Sequence, residues 1–255
     1  MATRQVQHLA DDRGEFVRRP DSQPLDAHVV RLAMVLSGGA AFLIFASIVQ
    51  DLGQAHLFSA TTPDKIWLLD IDSEESVFNW FSSMVLFVDA LLLFLVASGR
   101  HVQHLSFATH WYVLAIGFVG LSFDETASLH EKLSGVLHKG LHTSGVFEFA
   151  WVIPALIFCA LLFLFYIPFL RALPARVAKA LFLAGLLYVG GAVGVEMIAG
   201  PIYQHLGLNS TPYRIAATIE ETMEISGALL LAFLVGWNLT TLAGGKIGAP
   251  TAVGR

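Results

Sequence analysis

The sequence predicts an all-α, polytopic membrane bundle of about six transmembrane helices, and three observations carry that prediction. Of its 255 residues 55% are hydrophobic and 14% charged, and a mean hydropathy of +0.66 lies far from the balance of a soluble domain. Six runs approach the roughly 20 apolar residues that a helix needs to cross a hydrocarbon core about 30 Å thick. Lys and Arg collect on alternate connections between those runs, the asymmetry that sets orientation.

The first run, near residues 29–50, follows a polar leader with few large apolar residues. The leader predicts a flexible cytoplasmic tail over 1–27, and the run is longer than the apolar part of a cleavable signal peptide. The second run, near 76–99, carries one acid, Asp89, close to its middle. The third, near 106–126, passes directly into FDETASLHE, residues 123–131. The fourth covers 147–170 and the fifth, 177–199, is rich in glycine. The sixth, 213–238, has Thr211 and Pro212 before it, an N-cap type followed by a residue favoured at the first helical position. The division is therefore a tail over 1–27, one six-span domain over 28–240 and a short cytoplasmic tail over 241–255.

Arg4, Arg13, Arg18, Arg19 and Arg31, then Arg100, then Arg171, Arg176 and Lys179, then Lys246 and Arg255 fall on one side. The opposite connections hold Lys65, Lys132, Lys139 and Arg214. Both termini are expected in the cytoplasm, in the plasma (inner) membrane of a bacterial cell. Trp80 and Trp151 are expected as anchors at the outer interface, Trp111 and Tyr112 at the inner one.

The net charge of -5 and the absence of a basic stripe give no nucleic-acid reading. One cysteine, Cys159, leaves no disulfide framework or cysteine metal cluster within the chain. Polar residues concentrate in the outer half instead. Asp124, Glu125, Ser128, His130 and Glu131 end the third span, His138 and His142 follow, Glu196 is near the end of the fifth, and Glu220, Glu221 and Glu224 begin the sixth. At 1.5 Å per residue Glu220 and Glu224 lie roughly 12 and 18 Å along the last helix. A carboxylate at such depth costs on the order of 2–3 kcal/mol, so several of them require water, protons or a cation.

A divalent metal neutralises several acids at once, and histidine with carboxylate suits iron, manganese or zinc. Glu220 with Glu224, and Glu221 with Glu224, sit on neighbouring helical turns about 6 Å apart, and no Glu-x-x-His marks a ferritin-type dinuclear site. The candidate ligands are Asp124, His130, Glu131, Glu196, Glu220 and Glu224, with His138 and His142 next. Glu125, Glu221 and Ser128 are candidate acid/base groups or supports. The expected function is metal-dependent hydrolysis or oxidation of a membrane lipid or other apolar molecule. Two alternatives are a proton- or cation-coupled transporter, in which Asp89 would take part, and a non-catalytic subunit of a larger membrane complex. Gly190 and Gly194 form a GxxxG that packs helices closely in lipid, within the bundle or in a homo- or hetero-oligomer.

Overall fold

The computed structural model describes residues 23–56 and 66–244. The predicted tails, apart from 23–27 and 241–244, lie outside the described residues, as do Lys65 and the charged residues of both ends. The described chain forms eight α-helices with no strand among them: α1 (Gln23–His56), α2 (Val77–Val102), α3 (Ala108–Ala127), α4 (Leu129–Leu141), α5 (Val152–Ala172), α6 (Ala175–Val189), α7 (Glu196–Leu206) and α8 (Thr211–Gly244). A π-helical segment, Gly190–Val195, joins α6 to α7. The all-α bundle expected from the sequence is the fold.

Five helical segments are long and apolar enough to cross a membrane: α1, α2, α5, the continuous α6–α7 and α8. The pair α3 and α4, bent by 76°, makes six when taken as one span. Their lengths and compositions fit an integral membrane protein. Six passes bring the two ends of the described chain to one face, where Val29 of α1 lies beside Gly236 of α8.

α8 is the hub, flanked by α1, α2 and α6. Gly227 permits its approach to α6, since a Cβ there would fall 2.7 Å from the Ala184 carbonyl and the Tyr188 nitrogen. The half that holds both ends of the described chain, the inner half, is an apolar core of Leu93, Val96, Trp111, Phe169 and Val235; the opposite, outer half has a smaller one around Phe78, Leu86 and Ile225. Reciprocal hydroxyl bonds lock α2 to α3: Ser83 Oγ donates to the Ser122 carbonyl at 2.8 Å and Ser122 Oγ to the Ser83 carbonyl at 2.9 Å. In lipid such contacts contribute roughly 1 kcal/mol each.

Two expectations change. Trp111 is no interfacial anchor; it is fully buried, its ring edge-on to Phe169 of α5 at 5.1 Å, because the first turn of α3 packs on α5. Arg100 is also fully buried. Its Nε donates to the Ser106 carbonyl and its Nη1 to the Leu242 carbonyl, both at 2.8 Å, so this cation fastens the end of α8 to the α2–α3 turn. Of the two GxxxG glycines, Gly190 abuts Met223 of the same chain while Gly194 faces open space. Gly191 between them comes closer to α8, since a Cβ there would meet the Glu220 carbonyl at 2.8 Å.

Candidate functional site

The charged stretch at the end of α3 is a corner. Ser128 takes a left-handed conformation, φ 49°, unusual for a residue with a Cβ, and its N–H closes on the Asp124 carbonyl at 2.7 Å. That stops α3 and lets α4 leave at 76°. The Asp124 carboxylate then serves both elements. Oδ1 accepts the His130 N–H at 2.9 Å, capping α4, and Oδ2 lies 2.8 Å from His130 Nδ1. A histidine held through Nδ1 by a carboxylate presents Nε2 as its working atom, in a fixed orientation.

Nε2 points toward Glu74, 3.9 Å from its Oε1, and the imidazole lies 5.2 Å from the Trp151 ring. Glu74 comes from the connection before α2. Its Oε2 accepts from Ser128 Oγ at 3.0 Å and from Asn79 Nδ2 at 2.8 Å, and Asn79 is itself placed by its backbone bond to the N-cap hydroxyl of Ser76 at 3.1 Å. Burial pushes the Glu74 carboxyl above the usual glutamate range; the His130 charge and the two donors offset this only in part.

Glu74, His130 and Trp151 line one wall of an outer cavity of about 430 Å³. α4 contributes His130, Glu131, Ser134 and His138, the connection before α2 gives Asp72 and Glu74, and the segment before α5 gives Glu148 and Trp151. The far wall is Glu196 and Tyr203 of α7 with Tyr213, Glu220 and Glu221 of α8. Lys139 is the lysine that lines it. Trp151 sits close to Glu196, yet its indole Nε1 is buried and completes no hydrogen bond, as does one oxygen of Glu148. Behind the cavity Glu224 lies within reach of the Tyr188 hydroxyl, and Glu125 is met by Ser82. The π-helical segment sets the depth of this wall. It brings Gly191 against Glu220 and the Glu224 Cγ, and π-bulges recur at functional sites. A second cavity, about 480 Å³ between α1 and α8, is lined by apolar and hydroxyl side chains without a titratable group.

His130, Glu131, His138, Glu196, Glu220 and Glu221 line the cavity; Asp124, Glu125, Ser128 and Glu224 stand behind it. His142 does not face it. It caps the C-terminal end of α4 at φ 51° and is exposed. The i, i+4 pair His138 and His142 therefore does not act as a unit, although α4 is helical despite its glycines. His138 Nδ1 lies 3.1 Å from the Thr143 hydroxyl. The expected cap at Thr211 moves one residue, since Ser210 Oγ accepts the Tyr213 N–H at 3.4 Å and Thr211 is already helical. Among the described residues, no group of three or more His, Cys, Asp and Glu side chains is arranged to hold a metal ion.

Asp72, Glu74, Glu148, Trp151, Tyr203 and Tyr213 also form the cavity and are absent from the sequence-derived set of candidates. Asp72 and Glu74 carried a signal in the acidic run DIDSEES, whose meaning depends on α2 packing beside α3.

Residues 39–237 match a protein family described as a domain of unknown function, DUF8692. No curated protein matches the chain, and no solved structure does. The matched stretch runs from within α1 to within α8 and includes every element that builds the cavity, and the chain belongs to the DUF8692 family.

Proposed function

We propose that the outer cavity binds a divalent cation, iron, manganese or zinc, and that the protein is a membrane enzyme that hydrolyses or oxidises a lipid or other apolar substrate. The observation that carries this reading is the Asp124–His130 pair, an imidazole oriented by a carboxylate and aimed into a cavity otherwise lined by acids. His130 through Nε2, with Glu196, Glu220 and Glu131, would hold the ion after rotation of the glutamate side chains. Asp124 would keep His130 in the tautomer that leaves Nε2 free to donate its lone pair. A bound divalent ion supplies Lewis acidity or, for iron, oxygen chemistry. Glu221, at the cavity wall, is placed to accept a proton from an attacking water, while Ser128 holds Glu74 at the mouth.

An apolar substrate is supported by two features. Trp151, Tyr203, Tyr213 and Phe149 give the cavity aromatic walls. The α1–α8 cavity reaches Ile225, one helical turn from Glu221, so a chain lying between those helices ends beside the acids. The Lys and Arg bias of the connections supports an outward-facing site in a plasma membrane. Elemental analysis of the detergent-purified protein tests the reading. Stoichiometric iron, manganese or zinc, lost in a folded Glu220→Ala, Glu224→Ala variant, is the expected result; no metal in either sample after reloading refutes it.

A further inference from the structure

We propose that Asp89 is an intramembrane proton-exchange site served from the outer cavity through the hydroxyl groups that join α2 to α3. Halfway along α2, Asp89 has no exposed surface, and both its carboxyl oxygens are buried without a hydrogen-bond partner. The other buried polar side chains of this helix are Asn79, Ser82, Ser83 and Arg100. Each has a partner: Glu74, Glu125, Ser122 and the two backbone carbonyls described above. An unpaired buried carboxyl costs stability in either of its forms. Packing gains nothing from it in a run of leucines, so its use lies in the proton it can take or give.

The surroundings give the exchange a direction. Outward from Asp89 the first polar groups on α2 are Ser83 and Ser82, six and seven residues away, about 9–10 Å along the helix. Ser83 is bonded to Ser122, and its hydroxyl lies 2.8 Å from Thr126; Ser82 meets Glu125, which borders the cavity acids. Inward, the buried positions of α2 are Ala90, Leu93, Val96 and Ala97, all apolar; the next polar groups are the half-buried Ser98, about 14 Å away and bonded to Tyr112, and Arg100, about 16 Å away and engaged by carbonyls. Of the titratable groups on the packed neighbours, Glu125 of α3, Glu221 and Glu224 of α8 and Tyr188 of α6 lie on the outer side, while His110 and Tyr112 of α3 lie on the inner side, with the Tyr112 hydroxyl engaged by Ser98 at 3.3 Å. At the level of Asp89 itself the bundle is built from small residues: Ala90 and Ala115, each seven residues inward of the Ser83–Ser122 contact, and Ala228 of α8 are buried there. Transient waters, admitted as these small side chains move apart, cover the stretch of about 9 Å between Ser83 and Asp89. The step is a proton shift alone. A proton from water at the outer end enters the hydroxyl chain, each hydroxyl accepts one on oxygen as it passes its own onward, and Asp89 takes one and returns one, so that no net charge is moved. The metal reading above is not required for it.

Infrared spectroscopy of the full chain in lipid nanodiscs during transfer to D₂O tests this. The wild type should show the carbonyl stretch of an uncharged carboxylic acid that is absent from Asp89→Asn and shifts on deuteration within minutes. Ser83→Ala, Ser122→Ala should slow that shift at least tenfold, and threonine at both positions should restore it. Should the alanine pair not fold, Thr126→Val, which removes the hydroxyl beside Ser83, is expected to slow the shift instead. No Asp89-dependent band, a band that fails to shift over hours, or an unchanged rate in the hydroxyl variants overturns the proposal. Asp89→Leu should unfold several degrees higher than the wild type; a lower unfolding temperature would reveal a structural partner and equally overturn it.

Discussion

The two halves of the bundle handle charge in opposite ways. In the inner half a single buried cation, Arg100, is satisfied by the carbonyls of Ser106 and Leu242 inside an apolar core of Trp111, Phe169 and Leu93. In the outer half acids from the α2 connection, α4, α7 and α8 face one another across a cavity, with an oriented histidine and one lysine among them. A charge whose partners are backbone carbonyls has its work done once the chain is folded. In the cavity Glu74 is held by Ser128 and Asn79, while Glu196, Glu220 and Glu221 face it from the opposite wall. The comparison separates a charge that fastens helices from the acids on which the proposed function rests.

Four variants, one of them paired with a control, break or sharpen that contrast. Arg100→Leu should have the largest effect on stability, on the order of 3 kcal/mol, because it strips two buried carbonyls of their donor; thermal unfolding in detergent reads it, with divalent-ion binding per folded molecule unchanged. Gly191→Ala comes next. Its new methyl carbon would sit 2.8 Å from the Glu220 carbonyl, costing about 1–3 kcal/mol and shifting the turn that carries Glu220 and Glu224, whereas Gly194→Ala, in open space, should be neutral by the same assay. In Asp124→Asn one side-chain oxygen remains for the two His130 donors. Divalent-ion affinity should fall about 10–100-fold while the unfolding temperature moves little. Glu74→Gln has the smallest effect. Burial raises the Glu74 carboxyl, so the folded chain holds that proton more tightly than the unfolded one. The stability this gives is complete below the ordinary glutamate pKa and is lost as pH rises through the raised value. The variant should flatten that segment of the stability profile, and an unchanged slope would contradict the assignment.

Much of this architecture was legible in the sequence because lipid imposes length and composition on every span. The runs at 29–50, 76–99, 147–170 and 213–238 correspond to helices within a few residues of their ends. The corner at Ser128 was not legible. A serine in a left-handed conformation has no sequence signature as glycine does, so FDETASLHE read as the end of the third span. The fold instead turns Asp124 back onto His130. Glu196, Glu220 and Glu221 were identifiable because acids at span depth are costly. Glu74 was not, since an acid in an outer connection is ordinary until Ser128 and Asn79 are seen to hold it. Trp111 and Arg100 misled for a related reason: aromatic and basic residues near a span end usually sit at the interface, and only the packing of α3 on α5 and of α8 on the α2–α3 turn shows them buried.

The most direct test of the central claim is calorimetric titration of manganese or zinc into metal-free protein in nanodiscs, run in parallel on the wild type and on folded His130→Ala and Glu196→Gln variants. At least one ion bound per wild-type chain, with the affinity reduced tenfold or more in both variants, is the predicted result. Absence of binding by the wild type, or equal binding by all three, would contradict a cation site in the outer cavity.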